Sequence, residues 1–135
     1  MEKNSEEFIM KLTNIHHVAI IASDYEKSKK FYTEILGLPI INETYREERD
    51  SYMLDLQIGD SQIELFSFPK PPERLTNPEA AGLRHLCFFV EDIDTAVQEL
   101  ESKGIICEPI RVDELTNKRF TFFRDPDNLP LELHE

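Results

Sequence analysis

Residues 17–24 read HVAIIASD and residues 85–92 read HLCFFVED, so one pattern occurs twice in this chain of 135 residues. Each stretch begins with a histidine, continues as an apolar run of the length of a β-strand, and ends in an acidic turn. A pattern that recurs in this way indicates that the chain contains two copies of one structural unit.

A helical pattern follows each of these stretches. The first helix is predicted to begin at Ser23, which has the spacing of a capping box with Glu26, and to end before Gly37. The second is predicted to begin after Asp92, a residue that can cap it, and to end before Gly104. Glycine commonly follows the last turn of a helix, so both glycines are suitable end points.

Strand-like segments follow each helix, and they complete the repeated unit. They comprise residues 38–45, 51–58 and 62–68 in the first half, and residues 105–112, 119–124 and 129–134 in the second. The predicted fold is therefore α+β, a single domain over residues 1–135. It is built from a βαβββ module at 14–68, a proline-rich linker at 69–81 and a second βαβββ module at 82–135.

Length and composition limit the class of protein. A hydrophobic fraction of 40% and a charged fraction of 31% are ordinary for a globular domain, and no apolar run approaches the length of a membrane span. The first residues, MEKNSEEF, are acidic and polar, unlike a signal peptide, so we expect a cytoplasmic protein.

Net charge and cysteine content exclude further classes. The formal net charge is −12, which repels nucleic-acid phosphates and anionic lipids, so we expect neither a nucleic-acid nor a membrane partner. Cys87 and Cys107 fit no zinc knuckle or redox pair, and we expect two buried free thiols, with a disulfide as the alternative.

Each half carries one histidine and one glutamate at the same spacing. His17 and Glu64 are 47 positions apart, and so are His85 and Glu132. A carboxylate within an apolar strand is costly to bury unless it is paired or binds a cation. If the modules pack about a pseudo-twofold axis, the two pairs converge. Two imidazoles and two carboxylates suit one divalent ion, such as Ni²⁺, Zn²⁺, Co²⁺, Mn²⁺ or Fe²⁺.

Simpler interpretations apply to each residue alone. A single strand histidine is usually a hydrogen-bonded core residue, and a single glutamate usually faces solvent; the duplicated spacing favours the metal site instead. His16 is expected to face solvent. Cys87 and His134 share strand faces with His85 and Glu132, so both remain alternative ligands.

The two histidine-led strands, the repeated modules and the segments IEL (63–65) and LEL (131–133) resemble the vicinal oxygen chelate superfamily. This superfamily includes glyoxalase I (lactoylglutathione lyase), bleomycin-resistance proteins, fosfomycin-resistance thiol transferases, methylmalonyl-CoA epimerase and extradiol dioxygenases. The resemblance covers residues 14 to 135. It implies an open, cup-shaped mixed sheet around the metal, with substrate oxygens replacing metal-bound water.

The ligand set distinguishes among these relatives. Extradiol dioxygenases and fosfomycin-type thiol transferases use three protein ligands, so Glu64 disfavours both. Glyoxalase I matches at all four positions, and an epimerase of the methylmalonyl-CoA type remains an alternative. The resemblance then implies proton abstraction beside a metal-bound carbonyl through an enediolate, with Glu132 or Glu64 as the base and a preference for Glu132. A non-catalytic ligand-sequestering protein of the bleomycin-resistance type is a further alternative.

The substrate is expected to be a small-molecule carbonyl compound. Four basic residues are candidates for binding it, although each also fits a solvated strand connection or the rim of a core strand: Arg46, Arg49, Lys118 and Arg119. Glutathione-dependent glyoxalase I enzymes commonly carry arginine and asparagine where this chain has Ile21 and Phe68. We therefore expect a substrate other than the glutathione hemithioacetal of methylglyoxal.

Assembly is expected as well. An open two-module sheet leaves strand edges and apolar faces uncovered, and members of the superfamily usually dimerise to cover them. The resemblance implies a twofold homodimer with two equivalent sites. Each site lies either within one chain or between modules of different chains.

Overall fold

A computed structural model of the chain describes residues 9–135. Its strands and helices follow the repeated order strand, helix, three strands, and we number them along the chain. The first module contains β1 (His17–Ala22), α1 (Tyr25–Lys30), a π-helical turn (Phe31–Ile35), β2 (Ile40–Arg46), a 3-10 turn (Glu47–Arg49), β3 (Ser51–Ile58) and β4 (Ser61–Ser67). The second contains β5 (Leu86–Phe89), α2 (Ile93–Ser102), β6 (Arg111–Asp113), β7 (Lys118–Arg124) and β8 (Pro130–His134).

Each module forms its own open, mixed sheet of four strands. The strand orders are β1-β4-β3-β2 and β5-β8-β7-β6, so the two sheets have the same topology. The first strand of each module pairs in parallel with the last, and the other neighbours are antiparallel. This architecture confirms the predicted α+β class and the two βαβββ modules, with two separate sheets in place of one continuous sheet.

One face of each sheet is apolar and packs into a common core. In the first sheet this face carries Leu54, Leu56, Ile63 and Leu65, each at most 1% exposed. Side chains alternate along a strand, so the intervening residues lie on the opposite face, which we call the open face. Burial of such side chains stabilises the fold by about 1.5–3 kcal/mol each. Glu64 lies between two of them in sequence and therefore belongs to the open face.

Contacts between the modules join the two halves on the core side. The rings of Phe31 and Phe123 lie 6.4 Å apart, and the Tyr32 hydroxyl donates a buried hydrogen bond of 2.8 Å to Asp125. Since these contacts involve helix-side residues, the modules pack through the faces opposite to their open faces.

The helix starts differ from the prediction in one module. The α2 helix is capped by Asp92, as predicted, whose carboxylate accepts from the N–H of Thr95. The α1 helix is capped by Asp24 in place of Ser23. The Ser23 hydroxyl and N–H both donate to the Asp127 carboxylate in the other module, so this contact takes the serine away from the helix end.

One strand is much shorter than its sequence pattern predicts. The pattern favours a strand over residues 105–112, but β6 is confined to Arg111–Asp113. The preceding segment packs apolar side chains of Ile105, Cys107 and Ile110 against the core, and the Glu108 N–H donates an isolated hydrogen bond of 2.9 Å to the Phe122 carbonyl of β7. Packing and not strand pairing therefore explains the apolar pattern of this segment. None of the described helices is long and apolar enough to span a membrane.

Candidate metal site

His17 and Glu64 lie together on the open face of the first sheet. His17 opens β1, Glu64 is central in β4, and the parallel pairing of these strands places Ala19 opposite Glu64. The Nε2 atom of His17 is 3.4 Å from Oε1 of Glu64, and the glutamate side chain is 13% exposed. The predicted pairing of these two residues therefore follows from two neighbouring strands.

His85 and Glu132 form the equivalent pair in the second sheet. His85 immediately precedes β5, and Glu132 lies in β8 opposite Cys87. The distance from Nε2 of His85 to Oε1 of Glu132 is 3.0 Å, and this glutamate side chain is 12% exposed. The ring of Phe122 meets the His85 ring edge-on at 5.1 Å and covers one side of the pair.

The second ring nitrogen of each histidine also has a partner. Nδ1 of His17 lies 2.9 Å from Nδ1 of His16, which is exposed as expected. Nδ1 of His85 lies 3.0 Å from Nη1 of Arg84. A guanidinium can only donate, so Nδ1 of His85 accepts, and the proton of the neutral ring then lies on Nε2 facing Glu132. These partners hold both rings with Nε2 directed at a carboxylate.

Both pairs fit the ligand chemistry of a divalent ion. Such ions bind imidazole nitrogen and carboxylate oxygen at about 2.0–2.2 Å, so neighbouring ligands of one ion lie roughly 3.0–3.4 Å apart. The observed separations of 3.0 and 3.4 Å fall in this range. Each pair can supply one nitrogen and one oxygen ligand when Nε2 carries no proton; for His85 this requires the ring proton to move to Nδ1 and the Arg84 contact to break.

The two pairs do not meet within one chain. Over residues 9–135, no three side chains of histidine, cysteine, aspartate or glutamate come close enough together to hold an ion. The pairs lie on the two open faces, while the modules pack through their opposite faces. Within the chain, the structure brings together His17 with Glu64, and His85 with Glu132, and leaves the two pairs apart.

The alternative ligands have other roles or properties. Both cysteines are free, but Cys87 is exposed and Cys107 only half-buried, so the expected full burial is wrong. Partial desolvation, with the Glu132 carboxylate as a further cause, raises the pKa of Cys87 to about 11, so this residue is a neutral thiol at physiological pH. Desolvation also raises the pKa of Cys107. The His134 ring lies 3.6 Å from the Asp113 carboxylate and stacks on Phe120.

Asp55 is a site neighbour that the sequence analysis missed. It pairs directly with Glu64 across β3 and β4, and its Oδ1 is buried without a hydrogen-bond partner among the described residues. The sequence does contain a signal for this pairing, the hairpin turn at Gly59 and Asp60. The turn pairs Ile58 with Ser61, and this register places the two carboxylates opposite one another.

The candidate substrate residues fall into two groups. The Arg46 guanidinium lies 4.8 Å from the centre of the Phe66 ring, on the open face of the first sheet, and donates to the Ser51 hydroxyl. Arg49 lies 5.2 Å from the ring of Phe68. These two arginines therefore line the same sheet face as Glu64.

The basic residues of the second module are placed differently. Lys118 is exposed at the start of β7, far along the strand from Phe122. Arg119 points to the helix side, where it pairs with Asp94 at 3.0 Å and with Glu135 at 2.8 Å. These two carboxylates, which also raise the pKa of Arg119, hold its side chain away from the open face. We therefore leave Arg119 out of the proposed substrate site.

Comparison with known proteins identifies relatives that match nearly the whole chain. The chain is 68% identical to the uncharacterised protein YwkD of Bacillus subtilis (strain 168), over 93% of this chain and 99% of YwkD. It is 62% identical to the uncharacterised protein YaeR of Escherichia coli (strain K12), over 92% of this chain and 97% of YaeR. The crystal structure of SMU.1112c superposes with a TM-score of 0.90 at 50% identity, covering 93% of this chain and all of that one.

More distant relatives carry named activities. The lactoylglutathione lyase of Schizosaccharomyces pombe is 28% identical, with 92% of this chain matching 48% of that enzyme. The mitochondrial methylmalonyl-CoA epimerase of Mus musculus is 28% identical over 72% of this chain and 57% of the epimerase. The family model for the Glyoxalase/Bleomycin resistance protein/Dioxygenase superfamily matches residues 14–133, both modules included. The chain belongs to this superfamily.

Proposed function

We propose that this protein is a metal-dependent isomerase or lyase of the glyoxalase I type, which moves a proton between carbons beside a carbonyl group. The observation that carries the proposal is the pair of equivalent histidine–glutamate contacts, one in each module. Membership of a superfamily that includes a lactoylglutathione lyase and a methylmalonyl-CoA epimerase supports it.

The ion would be held by His17, Glu64, His85 and Glu132. When bound, a divalent ion supplies Lewis-acid stabilisation of negative charge that develops on the substrate oxygens. The nitrogen and oxygen donors suit nickel, zinc, cobalt, manganese or iron, and the chemistry of the donor set does not choose among them.

A glutamate of the site is proposed as the general base. Glu132 is 12% exposed and lies among Cys87, Phe122 and His85, so water is largely kept from its carboxylate. It would take the proton from the carbon beside the carbonyl and return it to the neighbouring carbon. Glu64 faces a second carboxylate, Asp55, and we assign it the role of holding the ion.

A homodimer would complete the site. The open faces of the two modules carry one pair each, and the edge strands leave Ile21 53% and Phe89 75% exposed next to them. A second copy of the chain that covers these apolar side chains would bring the first-module pair of one subunit to the second-module pair of the other. Two equivalent sites would then form for each dimer.

The substrate is proposed to be a small carbonyl compound and not a glutathione adduct. Ile21 and Phe68 offer no hydrogen bond to a tripeptide, and Phe66 and Phe68 stack 6.0 Å apart beside Arg46. Each unmatched polar group of a buried ligand loses about 1–3 kcal/mol. An epimerase is the second candidate, since a mouse methylmalonyl-CoA epimerase is a relative and its reaction also begins with proton abstraction beside a carbonyl.

Metal analysis tests the proposal first. We expect wild-type protein purified without a histidine tag to contain one divalent ion per chain, and the His85→Ala and Glu64→Gln variants to lose most of it. His134→Gln is the matched control, because this histidine lies on an open face but outside both pairs. Equal metal content in wild type and His85→Ala would exclude the site.

Proton exchange tests the reaction even while the natural substrate is unidentified. Metal-loaded protein is mixed with candidate carbonyl compounds in D₂O, and deuterium entering the carbon beside the carbonyl is followed by NMR. We expect metal-dependent exchange that is lost in Glu132→Gln. Metal-loaded protein that binds candidate compounds without any exchange would favour the ligand-sequestering alternative. A kcat/KM above roughly 10⁴ M⁻¹s⁻¹ on the glutathione hemithioacetal of methylglyoxal would contradict the inference from Ile21 and Phe68.

A further inference from the structure

A cleft rich in arginine lies between the linker that joins the modules and the open face of the second sheet. Its volume is about 290 Å³. Four of the seven arginines of the chain line it, although the chain as a whole has a net charge of −12. These residues are Arg74 and Arg84 from the linker side, and Arg111 and Arg124 from the sheet.

Two of the four arginines are neutralised within the cleft. Glu79 pairs with Arg84, and Glu108 pairs with Arg111 at 3.0 Å. Arg74 and Arg124 form no ion pair with any residue in the part of the chain that the structure describes. The cleft therefore has an excess of two positive charges.

Neutral contacts fix the two remaining arginines in place. Nη2 of Arg74 donates to the carbonyl oxygens of Leu83 and Arg84 at 2.6 and 3.1 Å, while its Nε is buried without a partner among the described residues. Nη1 of Arg124 donates to the side-chain oxygen of Asn128 at 3.2 Å. Each guanidinium keeps further N–H groups for a ligand.

The cleft adjoins the second histidine–glutamate pair through Phe122 and Arg84. Phe122 lines the cleft, its ring contacts His85, and it pairs with Glu132 across β7 and β8. Arg84, on the linker side, donates to His85. A ligand in the cleft would thus have one end beside the second histidine–glutamate pair.

We infer that this cleft binds the doubly charged anionic end of the substrate, a phosphate monoester or a dicarboxylate, by Arg74 and Arg124. The inference rests on the proposed function, because it places the anionic group at one end of a molecule whose carbonyl lies at His85 and Glu132. Two unpaired guanidinium groups match a charge of −2, and arginine binds phosphate and carboxylate oxygens through paired N–H donors.

A titration of the metal-free protein tests the inference separately from the metal chemistry. Full-length ¹⁵N-labelled protein, treated with a chelator, is titrated with inorganic phosphate, succinate and acetate, and amide shifts are followed by NMR. We expect phosphate or succinate to shift amides in residues 74–84 and 122–130, and acetate to bind about tenfold more weakly because it carries one charge. The stronger of the two dianions identifies the anionic group.

Two variants that each remove one positive charge distinguish binding in the cleft from a general effect of net charge on anion binding. Arg124→Gln should weaken binding of the dianion about tenfold, and Arg124→Lys less. Lys27→Gln, which alters an exposed residue of α1, should leave binding unchanged. Equal binding by wild type and Arg124→Gln would overturn the inference, as would shifts that occur only after metal is added. Failure of the metal proposal would instead appear as unchanged metal content in His85→Ala, with the phosphate titration unaffected.

Discussion

Tyr32 and Asp125 form a hydrogen bond that joins the two modules in the core. The tyrosine is fully buried, Asp125 is 6% exposed, and the second oxygen of this carboxylate accepts from the N–H groups of Asp127 and Leu129. Burial raises the pKa of Asp125, and the Tyr32 hydroxyl opposes that rise. The hydroxyl therefore stabilises a charged group inside the protein.

We predict that Tyr32→Phe lowers the free energy of unfolding by about 1–3 kcal/mol at neutral pH, because one oxygen of Asp125 loses its partner. Urea titration measures this loss. Tyr45→Phe is the control, since its hydroxyl also bonds to an aspartate, Asp50, but on the surface. A similar loss in both variants would contradict a special role for the buried bond.

The same variant has a defined pH dependence. A carboxyl group whose pKa is raised on folding binds more protons when folded, so stability falls as pH rises from its ordinary value, 3.8, through the folded pKa. Removal of the hydroxyl raises the pKa of Asp125 further and widens this window. We expect the deficit of Tyr32→Phe to be small near pH 3 and complete at neutral pH; a constant deficit would contradict this.

Asp55 and Glu64 place two carboxylates opposite one another on adjacent strands. Like charges at directly paired positions destabilise a sheet, and Oδ1 of Asp55 is buried without a partner among the residues described. We predict that Asp55→Asn stabilises the metal-free protein by roughly 0.5–1 kcal/mol, measured by urea titration in the presence of a chelator. Asp60→Asn, in the exposed turn of the same hairpin, should have little effect.

At the scale of the elements, hydrophobic pattern and turn chemistry determine most of what the sequence predicts. The strand predicted at residues 51–58 is β3, and both predicted helix stops, Gly37 and Gly104, have positive φ angles of 75° and 85°. The predicted cap Ser23 is wrong, and the strand predicted at 105–112 is present only in its last two residues, because contacts with the rest of the molecule decide both. Ser23 bonds to a residue 104 positions away, which local sequence cannot indicate.

The role of Asp24 as the cap of α1 can be tested by substitution. We predict that Asp24→Ala lowers the free energy of unfolding by about 1 kcal/mol, since the N–H of Lys27 loses its acceptor, whereas Asp24→Ser retains most of the stability. Urea titration of both variants measures the difference. Equal losses in the alanine and serine variants would show that Asp24 acts through something other than capping.

At the scale of the whole molecule, the 47-residue spacing predicts each histidine–glutamate pair. Strand pairing brings the histidine and the glutamate of each pair into contact. The spacing could not show whether one chain assembles all four residues, because that depends on which faces of the modules pack. The modules pack through Phe31, Tyr32, Phe123 and Asp125, and the pairs remain on opposite faces of the sheets from this core. In the proposed dimer, residues of two chains would complete the site.

Mixing of two defective variants tests this proposal. If each site combines the first module of one subunit with the second module of the other, neither His17→Ala nor His85→Ala has an intact site alone. A mixed dimer concentrates both defects in one site and leaves the other intact. Random exchange of subunits makes half of the dimers mixed, so metal content should recover to about one quarter of wild type.

The control for this experiment uses two substitutions in the same module. A mixture of His17→Ala with Glu64→Gln places one defect in every site, whichever subunits pair, so metal content should not recover. Subunits are exchanged by dilution or mild urea, reassembled, freed of loose metal and analysed for bound metal. Recovery in the control mixture, or none in the first mixture despite verified mixed dimers, would exclude a site shared between subunits. If the mixture of His17→Ala and His85→Ala recovers about one quarter of the wild-type metal content and the control mixture recovers none, each chain must provide half of each site.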